Sequence, residues 1–221
     1  GSELSEGIGI AEKAISNRSL PIMENIRLKK NGDELLLIGS DLEVSIQYKM
    51  KVNNPETSGD ILIKAGTFSS IMSKLSQDNV NLVVDEKKQV IIKSEHVDFD
   101  ICGLETTDYP EFPNIEKGNT FTISVESLLE LIKHTIFSVS FDETKQFLNG
   151  ILMNTEADSL SFVATDGFRL ALKKQRIQPL NQEISAIIPF KALNELSKVL
   201  SKSKPENEVQ VTLSDQKISF I

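Results

Sequence analysis

The chain has 221 residues, one cysteine and a formal net charge of −8. This length suits two domains of about 110 residues, each large enough to bury a core without disulfides or metal. The single cysteine excludes an internal disulfide framework, and no secretory signal or membrane-length apolar run is visible, so we expect a cytoplasmic protein. The acidic charge argues against a protein that holds nucleic acid tightly through its phosphates.

The first part of the chain predicts a helix followed by short strands. Leu4, Ile8 and Ile15 recur at helical spacing, and Asn31-Gly32 is a strong hairpin signal between two apolar runs. The predicted elements are a helix over 4–15, strands at 26–29, 34–39, 44–52 and 61–64, a helix starting at Thr67 or Ser69, and strands at 80–84, 89–93 and 97–103.

Residues 105–119 carry Pro110 and Pro113 and show no helical period, which predicts an interdomain linker. A second series of elements follows this stretch. It comprises a strand at 121–125, a helix over 127–137, a polar loop at 140–145, strands at 148–154, 160–165, 168–175 and 185–188, a helix over 190–201 and a hairpin over 209–221.

The two series repeat one pattern. A displacement of 125 residues places the apolar positions of 25–75 on those of 150–200 without a gap, so that Phe68 and Leu75 meet Leu193 and Leu200. The pattern predicts two copies of one domain. Each copy is an antiparallel sheet with two helices, which is an α+β unit.

The repeat also predicts that strands are missing. The strand at 121–125 opens the second copy but has no counterpart before the first helix, and the strand at 97–103 has no counterpart before Ile221. We therefore expect a fragment of a longer protein.

Catalytic and metal motifs are scarce. His96 and His134 do not stand with cysteine or carboxylate at metal-ligand spacing, and Cys102 is expected to be a buried apolar residue of a strand. The sequence has no glycine-rich phosphate loop and no serine elbow. It predicts no catalytic residue, metal or cofactor.

The segment 164–171 favours a tight turn centred on Asp166-Gly167, since aspartate and glycine supply the required backbone angles. Ser40-Asp41 takes the same place in the first copy, and no second carboxylate accompanies Asp166 as a catalytic pair would require. Leu148 is expected on a strand pairing nearby, where it would form an apolar floor with Leu170.

Lysines occupy one side of the predicted helices. On helix 190–201, Leu193, Leu196 and Leu200 share one face, while lysines take another. The pattern is compatible with a solvated helix face and equally with a weak phosphate surface that does not read bases. The lysines on or next to the four helices are Lys13, Lys74, Lys133, Lys191, Lys198 and Lys202.

The segments 19–26, 39–43, 108–110, 147–150 and 164–171, in this order and spacing, resemble the bacterial sliding clamp, the beta subunit of DNA polymerase III. In that family three such domains form a half-ring, and two half-rings close head to tail around duplex DNA. Helices line the hole and antiparallel sheets form the outside. The clamp tethers the polymerase for processive synthesis and catalyses nothing itself.

The resemblance implies domains at 1–113 and 114–221, the first lacking its first strand and the second its last strands, with the third domain absent. It implies a homodimer at full length, with Phe99 and Ile101 in the dimer interface. The implied partners are double-stranded DNA and, through short linear peptides, the polymerase, clamp loader and repair proteins; no membrane is involved. The implied DNA contacts are Lys13, Asn17, Arg18, Lys74, Lys133, Lys191, Lys198 and Lys202. The implied partner-peptide pocket comprises Leu148, Thr165, Gly167, Phe168, Arg169 and Leu170, with phenylalanine at 168 where the family usually has histidine.

Two other classes of function remain possible on the residues alone. A tandem-repeat adaptor would bind peptides without DNA, and it would not need lysines gathered on one concave side. An enzyme is the more distant alternative, and a cluster of polar groups converging in a pocket would support it.

Overall fold

The computed structural model describes residues 1–16, 20–75, 78–115, 118–142, 144–180, 183–214 and 216–221. The chain divides into two compact units, Gly1–Pro113 and Asn114–Ile221. Each unit combines antiparallel strands with two α-helices among the described residues, which confirms the predicted α+β class.

The first unit packs both helices against one face of an antiparallel sheet. Ile8, Leu37, Phe68 and Met72 are fully buried between the helices and the sheet. The strands lie in the order β3-β2-β1-β4-β7-β6-β5. The elements are α1 (Ser2–Ala11), β1 (Asn25–Asn31), β2 (Glu34–Ser40), β3 (Ser45–Lys51), β4 (Gly59–Lys64), α2 (Ala65–Lys74), β5 (Asn81–Val84), β6 (Gln89–Lys93) and β7 (Asp98–Leu104).

The second unit has the same helix and strand order after its opening strand. Its core contains Leu128, Leu131, Phe162 and Leu193, each at most 1% exposed. The strands form two sheets, β11-β10-β9-β12 and β14-β13-β8. The elements are β8 (Asn119–Ser124), α3 (Val125–Lys133), β9 (Gly150–Glu156), β10 (Ser159–Thr165), β11 (Leu170–Arg176), β12 (Ser185–Pro189), α4 (Phe190–Leu200), β13 (Glu208–Leu213) and β14 (Ile218–Phe220).

The bounds of the elements confirm the ungapped repeat. Strands β1, β2 and β3 fall on β9, β10 and β11 after a displacement of 125 residues, and α2 falls on α4. In both units the strand before the helix runs directly into it. Helix α2 therefore begins at Ala65, earlier than predicted. Its N-cap residue, Lys64, makes no side-chain cap hydrogen bond, so the usual capping residues do not mark this start in the sequence.

Helix α3 ends at Lys133 rather than at the predicted position 137. The Thr135 hydroxyl donates to the Leu131 carbonyl at 2.7 Å, and a 3₁₀ turn, Ile136–Ser138, follows. A threonine hydroxyl that bonds back to the preceding turn competes with continuation of the helix. The spacing of apolar residues in the sequence gives no information about this hydrogen bond.

Strand β7 joins the two halves of the first unit's sheet. Residues 98–102 of β7 pair with β6, whereas only Gly103 and Leu104 pair with β4. In the second unit, β12 pairs only with β9 among the described residues. Absence of the terminal strands, as predicted from the repeat, stays a prediction.

Part of the predicted linker is packed on the first unit. Tyr109 is 4% exposed and lies with Met23, Ile38 and Leu62 in a small core on the sheet face opposite the helices. Burial raises the pKa of the Tyr109 hydroxyl to about 12. The stretch up to Pro113 is therefore a structural part of this unit.

Candidate functional site

The turn between β10 and β11 is held by its own side chains. Asp166 Oδ1 accepts hydrogen bonds from the backbone N–H groups of Phe168 and Arg169, each at 3.0 Å. These two bonds are the main reason that the pKa of Asp166 is lowered. Thr165 Oγ1 donates to the Arg169 carbonyl at 2.7 Å, and Gly167 takes a left-handed conformation with φ of 93°. The carboxylate of Asp166 thus acts as a turn cap, as its sequence context predicts.

Arg169 connects this turn to the segment after α3. Its Nη2 donates to the Phe137 carbonyl at 2.6 Å, and its guanidinium carbon lies 5.9 Å from the centre of the Phe137 ring. Its Nε donates to Asp166 Oδ2 at 3.0 Å. The guanidinium therefore fixes two loops of the second unit relative to each other.

The rigid turn presents apolar side chains to solvent. Phe168 is 99% exposed and Leu170 is 65% exposed. Both Phe168 and Arg169 lie in the turn itself, because β11 begins only at Leu170, so the predicted strand start at 168 is wrong. The Asp166 cap and the positive φ of Gly167 extend the turn by these two residues.

Leu148 is not on a strand, contrary to prediction. It ends a 3₁₀ turn, Gln146–Leu148, and β9 begins at Gly150. Its carbonyl accepts a hydrogen bond from the Ser140 N–H at 3.0 Å, which closes the loop before β9. A β-carbon on Gly150 would lie 2.6 Å from the Ile188 carbonyl oxygen, so glycine allows the close pairing with β12 that starts the strand.

Three exposed phenylalanines stand near these residues in the chain, and the sequence analysis did not assign them to the pocket. Phe137, Phe141 and Phe147 are 56%, 74% and 67% exposed, and Phe141 packs edge-on against Phe190 with ring centres 5.1 Å apart. Large apolar side chains within and on both sides of the polar loop at 140–145 are a signal that could have identified them. Exposed aromatic groups of this kind are typical of interaction surfaces.

Of the predicted pocket residues, Gly167, Phe168, Arg169 and Leu170 are exposed, and Leu148 and Thr165 are half-buried. We call these six residues the open surface of the second unit. Leu148 and Leu170 occupy the two segments that carry this surface, and Thr165, Gly167 and Arg169 form the turn between β10 and β11. A separate cavity of about 430 Å³ has none of them, and no charged side chain, among the described residues that line it. It is lined by Gly118, Asn119, Thr120, Phe121, Thr122, Gln178, Pro179, Leu180 and Ile184.

The predicted DNA-contacting lysines sit on or beside helices, with carboxylates among them. Lys74, Lys133 and Lys202 are exposed, whereas Lys13 and Lys191 are half-buried. Lys198 pairs with Glu195 at 2.6 Å. Helix α1 also carries Glu3 and Glu6, and α3 carries Glu126 and Glu130. Asn17 and Arg18 lie outside the described residues.

The negative charge of Glu130 on α3 is partly neutralised by two side chains of β11. Lys173 Nζ lies 3.1 Å from its Oε2, and Gln175 Nε2 donates to the same oxygen at 2.8 Å. The hydrogen bond from Lys173 is the main cause of the lowered pKa of Glu130. This carboxylate is therefore ionised and partly compensated, which limits its repulsion of a phosphate.

Phe99 and Ile101 lie on the part of β7 that pairs only with β6, so its other side is an unpaired edge among the described residues. Both side chains are half-buried and pack against the core of the first unit. Cys102 faces the opposite side of the sheet and is exposed, so the prediction of a buried cysteine is wrong. Successive side chains of a strand point to opposite faces of the sheet, and on β7 Phe99 and Ile101 are the ones that face the core.

The described residues contain no group of three or more histidine, cysteine, aspartate or glutamate side chains that could hold a metal ion. His134 sits at the end of α3, where its Nδ1 lies 2.8 Å from the Glu130 carbonyl oxygen. Within the same parts of the chain, no helix has the length and apolar character needed to cross a membrane.

Comparison with known proteins gives two family matches. The model of the DNA polymerase III beta subunit N-terminal domain matches residues 2–113, and that of its central domain matches residues 122–221. The beta sliding clamp of Staphylococcus aureus is 33% identical over 217 residues, which are 94% of this chain and 57% of that protein.

Solved structures agree with these matches. The DNA polymerase sliding clamp from Bacillus subtilis has a TM-score of 0.92 and 31% identity, covering 99% of this chain and 59% of that one. The sliding clamp from Bartonella birtlesii bound to griselimycin has a TM-score of 0.92 and 30% identity, covering 100% and 60%. The chain thus spans somewhat more than half the length of these relatives. It belongs to the family of the bacterial DNA polymerase III beta subunit, the beta sliding clamps.

Proposed function

We propose that this chain provides two domains of a ring-shaped processivity factor that encircles duplex DNA and tethers the replicative polymerase in the cytoplasm. The observation that carries the proposal is the pair of units built in one register and matched over the whole chain by sliding clamps. The protein catalyses no reaction in this role. The family assignment does not favour an adaptor that never meets DNA.

The mixed charge of the helices suits a ring that slides. A closed ring holds DNA topologically, so it needs only weak attraction, and tight phosphate contacts would slow its movement. Lys74, Lys133 and Lys202 are exposed and supply that attraction, while nearby carboxylates moderate it. We propose Lys13, Lys191 and Lys198, and the Asn17-Arg18 turn, as further contacts.

The open surface of the second unit is proposed as the partner-peptide site. Leu148 and Leu170 would accept an apolar side chain from an extended peptide, and the backbone of Thr165 and Gly167 would set its register. Phe168, fully exposed on a rigid turn, adds an aromatic contact. Short linear peptides of the polymerase, clamp loader and repair proteins are the proposed ligands.

Charge reversal on the helices tests the DNA interface. Lys133→Glu with Lys202→Glu should weaken binding to short linear duplex about tenfold at low salt and lower the salt dependence by roughly two counterions, one for each lost phosphate contact. Fluorescence anisotropy over a salt series measures both quantities.

The matched control carries the same charge change away from the helices. Lys87→Glu with Lys174→Glu changes a turn and a sheet strand, and it should reduce affinity much less, through net charge alone. Equal losses in the two double variants, or a strong preference for one DNA sequence, would contradict the proposed interface.

The unpaired edge of β7 is proposed as the dimer interface of a chain of full family length. Phe99→Lys with Ile101→Lys should convert the dimer to a monomer, because lysines at these two half-buried positions would disturb the unpaired edge that a partner strand would join. Light scattering measures the mass, and circular dichroism checks that the variant remains folded. Cys102→Lys, on the outward face of the same strand, should leave the dimer intact; an unchanged mass in the double variant argues against this interface.

A further inference from the structure

Helices α2 and α4 occupy matched places in the two units, but they differ in charge on the face that points away from the core. Each packs on its own sheet through apolar residues at matched positions, such as Phe68 and Leu193, which are both 0% exposed. The positions on the opposite face recur every three or four residues, and we call them the solvent face of each helix. The displacement of 125 residues pairs Gly66, Ser70 and Ser73 on α2 with Lys191, Glu195 and Lys198 on α4.

The solvent face of α2 is uncharged. Gly66, Ser70 and Ser73 are all exposed. The Ser70 hydroxyl donates to the Gly66 carbonyl at 2.7 Å, and the Ser73 hydroxyl donates to the Ser70 carbonyl at 3.0 Å. Lys74, at the end of the helix, is the only charged residue of α2. The helix therefore offers a phosphate one ammonium group, because the hydroxyl hydrogens of both serines are already bonded to the helix backbone.

The solvent face of α4 is basic. Lys198 Nζ donates to Glu195 Oε1 at 2.6 Å, and Asn194 Nδ2 donates to the same oxygen at 3.0 Å. The Glu195 side chain is 14% exposed, whereas that of Lys198 is 50% exposed. The carboxylate is therefore covered by its partners, and the lysine is the member of the pair that faces solvent. Lys191 lies two turns earlier on the same face, and the exposed Lys202 follows the helix.

The first helix of each unit does not offset this difference. Both first helices carry two carboxylates within the helix and one lysine at or just after its end. These residues are Glu3, Glu6 and Lys13 for α1, and Glu126, Glu130 and Lys133 for α3. The two units therefore differ in the charge of their second helix, and the second unit has the basic one.

We propose that α4 of the second unit is a main source of the attraction that this chain has for duplex DNA, and that α2 of the first unit is a nearly neutral surface past which the DNA moves. The proposal rests on the proposed clamp function and adds to it which of the two matched helices holds phosphates. Attraction to phosphates is electrostatic and does not read bases, so it follows the lysines and not the fold that the units share. An uncharged helix face offers few phosphate contacts that must break as DNA slides.

Transfer of the lysines to the first unit tests the proposal. Gly66→Lys with Ser73→Lys copies Lys191 and Lys198 onto α2, and a β-carbon at Gly66 meets no atom within 4 Å, so the side chain has room. In the 221-residue chain this change should raise the affinity for short linear duplex about tenfold at low salt. It should also increase the salt dependence by roughly two counterions, one for each new phosphate contact. Fluorescence anisotropy over a salt series measures both quantities.

Lys191→Ala with Lys198→Ala makes the converse change on α4. It should lower the affinity for the same duplex about tenfold at low salt and reduce the salt dependence by roughly two counterions. Circular dichroism checks that this variant and the α2 variant remain folded.

Gln47→Lys with Asn81→Lys is the matched control for net charge. Both residues are exposed on strands, and their neighbours Tyr48 and Leu82 pack against the core, so positions 47 and 81 point to the sheet face away from the helices. Two lysines at these positions should raise the affinity for duplex much less than two lysines on α2, through net charge alone.

Two results would overturn this proposal and leave the clamp function intact, provided that the parent chain binds duplex in a salt-dependent way. A gain from the α2 lysines no larger than that of the control would show that α2 does not face DNA. Parent-like binding by the Lys191 and Lys198 variant would show that α4 is not a source of the attraction. A parent chain whose binding to duplex does not depend on salt would overturn the proposed DNA interface itself.

Discussion

A clamp of full family length carrying Leu170→Asp should lose affinity for partner peptides by about a hundredfold or more, with its fold and assembly unchanged. Placing a charge on an apolar surface that a bound peptide would cover costs several kcal/mol, and each 1.4 kcal/mol is about tenfold in affinity. Leu170 is 65% exposed in the free protein, so the substitution removes no core contact. Leu148→Asp should weaken binding similarly.

Leu42→Asp is the matched control for this result. Leu42 lies in the equivalent turn of the first unit, is 63% exposed and has a positive φ of 77° that aspartate tolerates well. It should bind peptide like the parent in calorimetry. If the Leu148 and Leu170 variants also bind like the parent, the peptide site lies elsewhere.

Asp60→Ala should lower the free energy of unfolding of the first unit by about 2 to 3 kcal/mol, because it leaves a buried arginine with one exposed partner. Arg27 is 4% exposed and donates to Asp60 through Nε at 2.9 Å and Nη2 at 2.7 Å. Its remaining partner, Glu111, has a side chain that is 76% exposed. The full cost of an unpaired buried ion is reduced here because Asp60 itself is partly exposed.

Tyrosine fluorescence during urea unfolding measures this effect in the first unit alone, since the chain has no tryptophan and its two tyrosines are Tyr48 and Tyr109. Glu111→Ala should cost less than about 1 kcal/mol, as is usual for exposed ion pairs. Arg27→Leu with Asp60→Ser, which copies Leu152 and Ser185 of the second unit, should restore most of the loss. An Asp60→Ala midpoint equal to that of the parent would show that the pairing contributes nothing.

The sequence predicts the strands and helices well where the repeat supports them twice. Strands β1 to β3 and β9 to β11 each have a partner pattern 125 residues away, so an ambiguous apolar run in one copy is interpreted through the other. Element ends are less predictable, because they depend on local bonds such as that of Thr135 to the Leu131 carbonyl. Apolar periodicity carries no information about such bonds.

The candidate peptide site is predicted only in part for a similar reason. The turn at Asp166 follows from residue type, but the place of Leu148 depends on the loop closed by the Ser140 N–H. The exposure of Phe137, Phe141 and Phe147 is a tertiary property, since large apolar side chains usually predict a core. The proline-rich stretch around Tyr109 misleads in the opposite direction, because its composition resembles a linker while its aromatic rings pack on the sheet.

Retention on circular DNA tests the central claim most directly. A chain of full family length, loaded by a clamp loader onto nicked circular duplex, should co-elute with the circle in gel filtration at a salt concentration that abolishes binding to short linear duplex. Cutting the circle once should release it, because a topological link ends when the ring can slide off. Retention that is unchanged after linearisation, or no retention on the intact circle, would contradict the assignment of this protein as a sliding clamp.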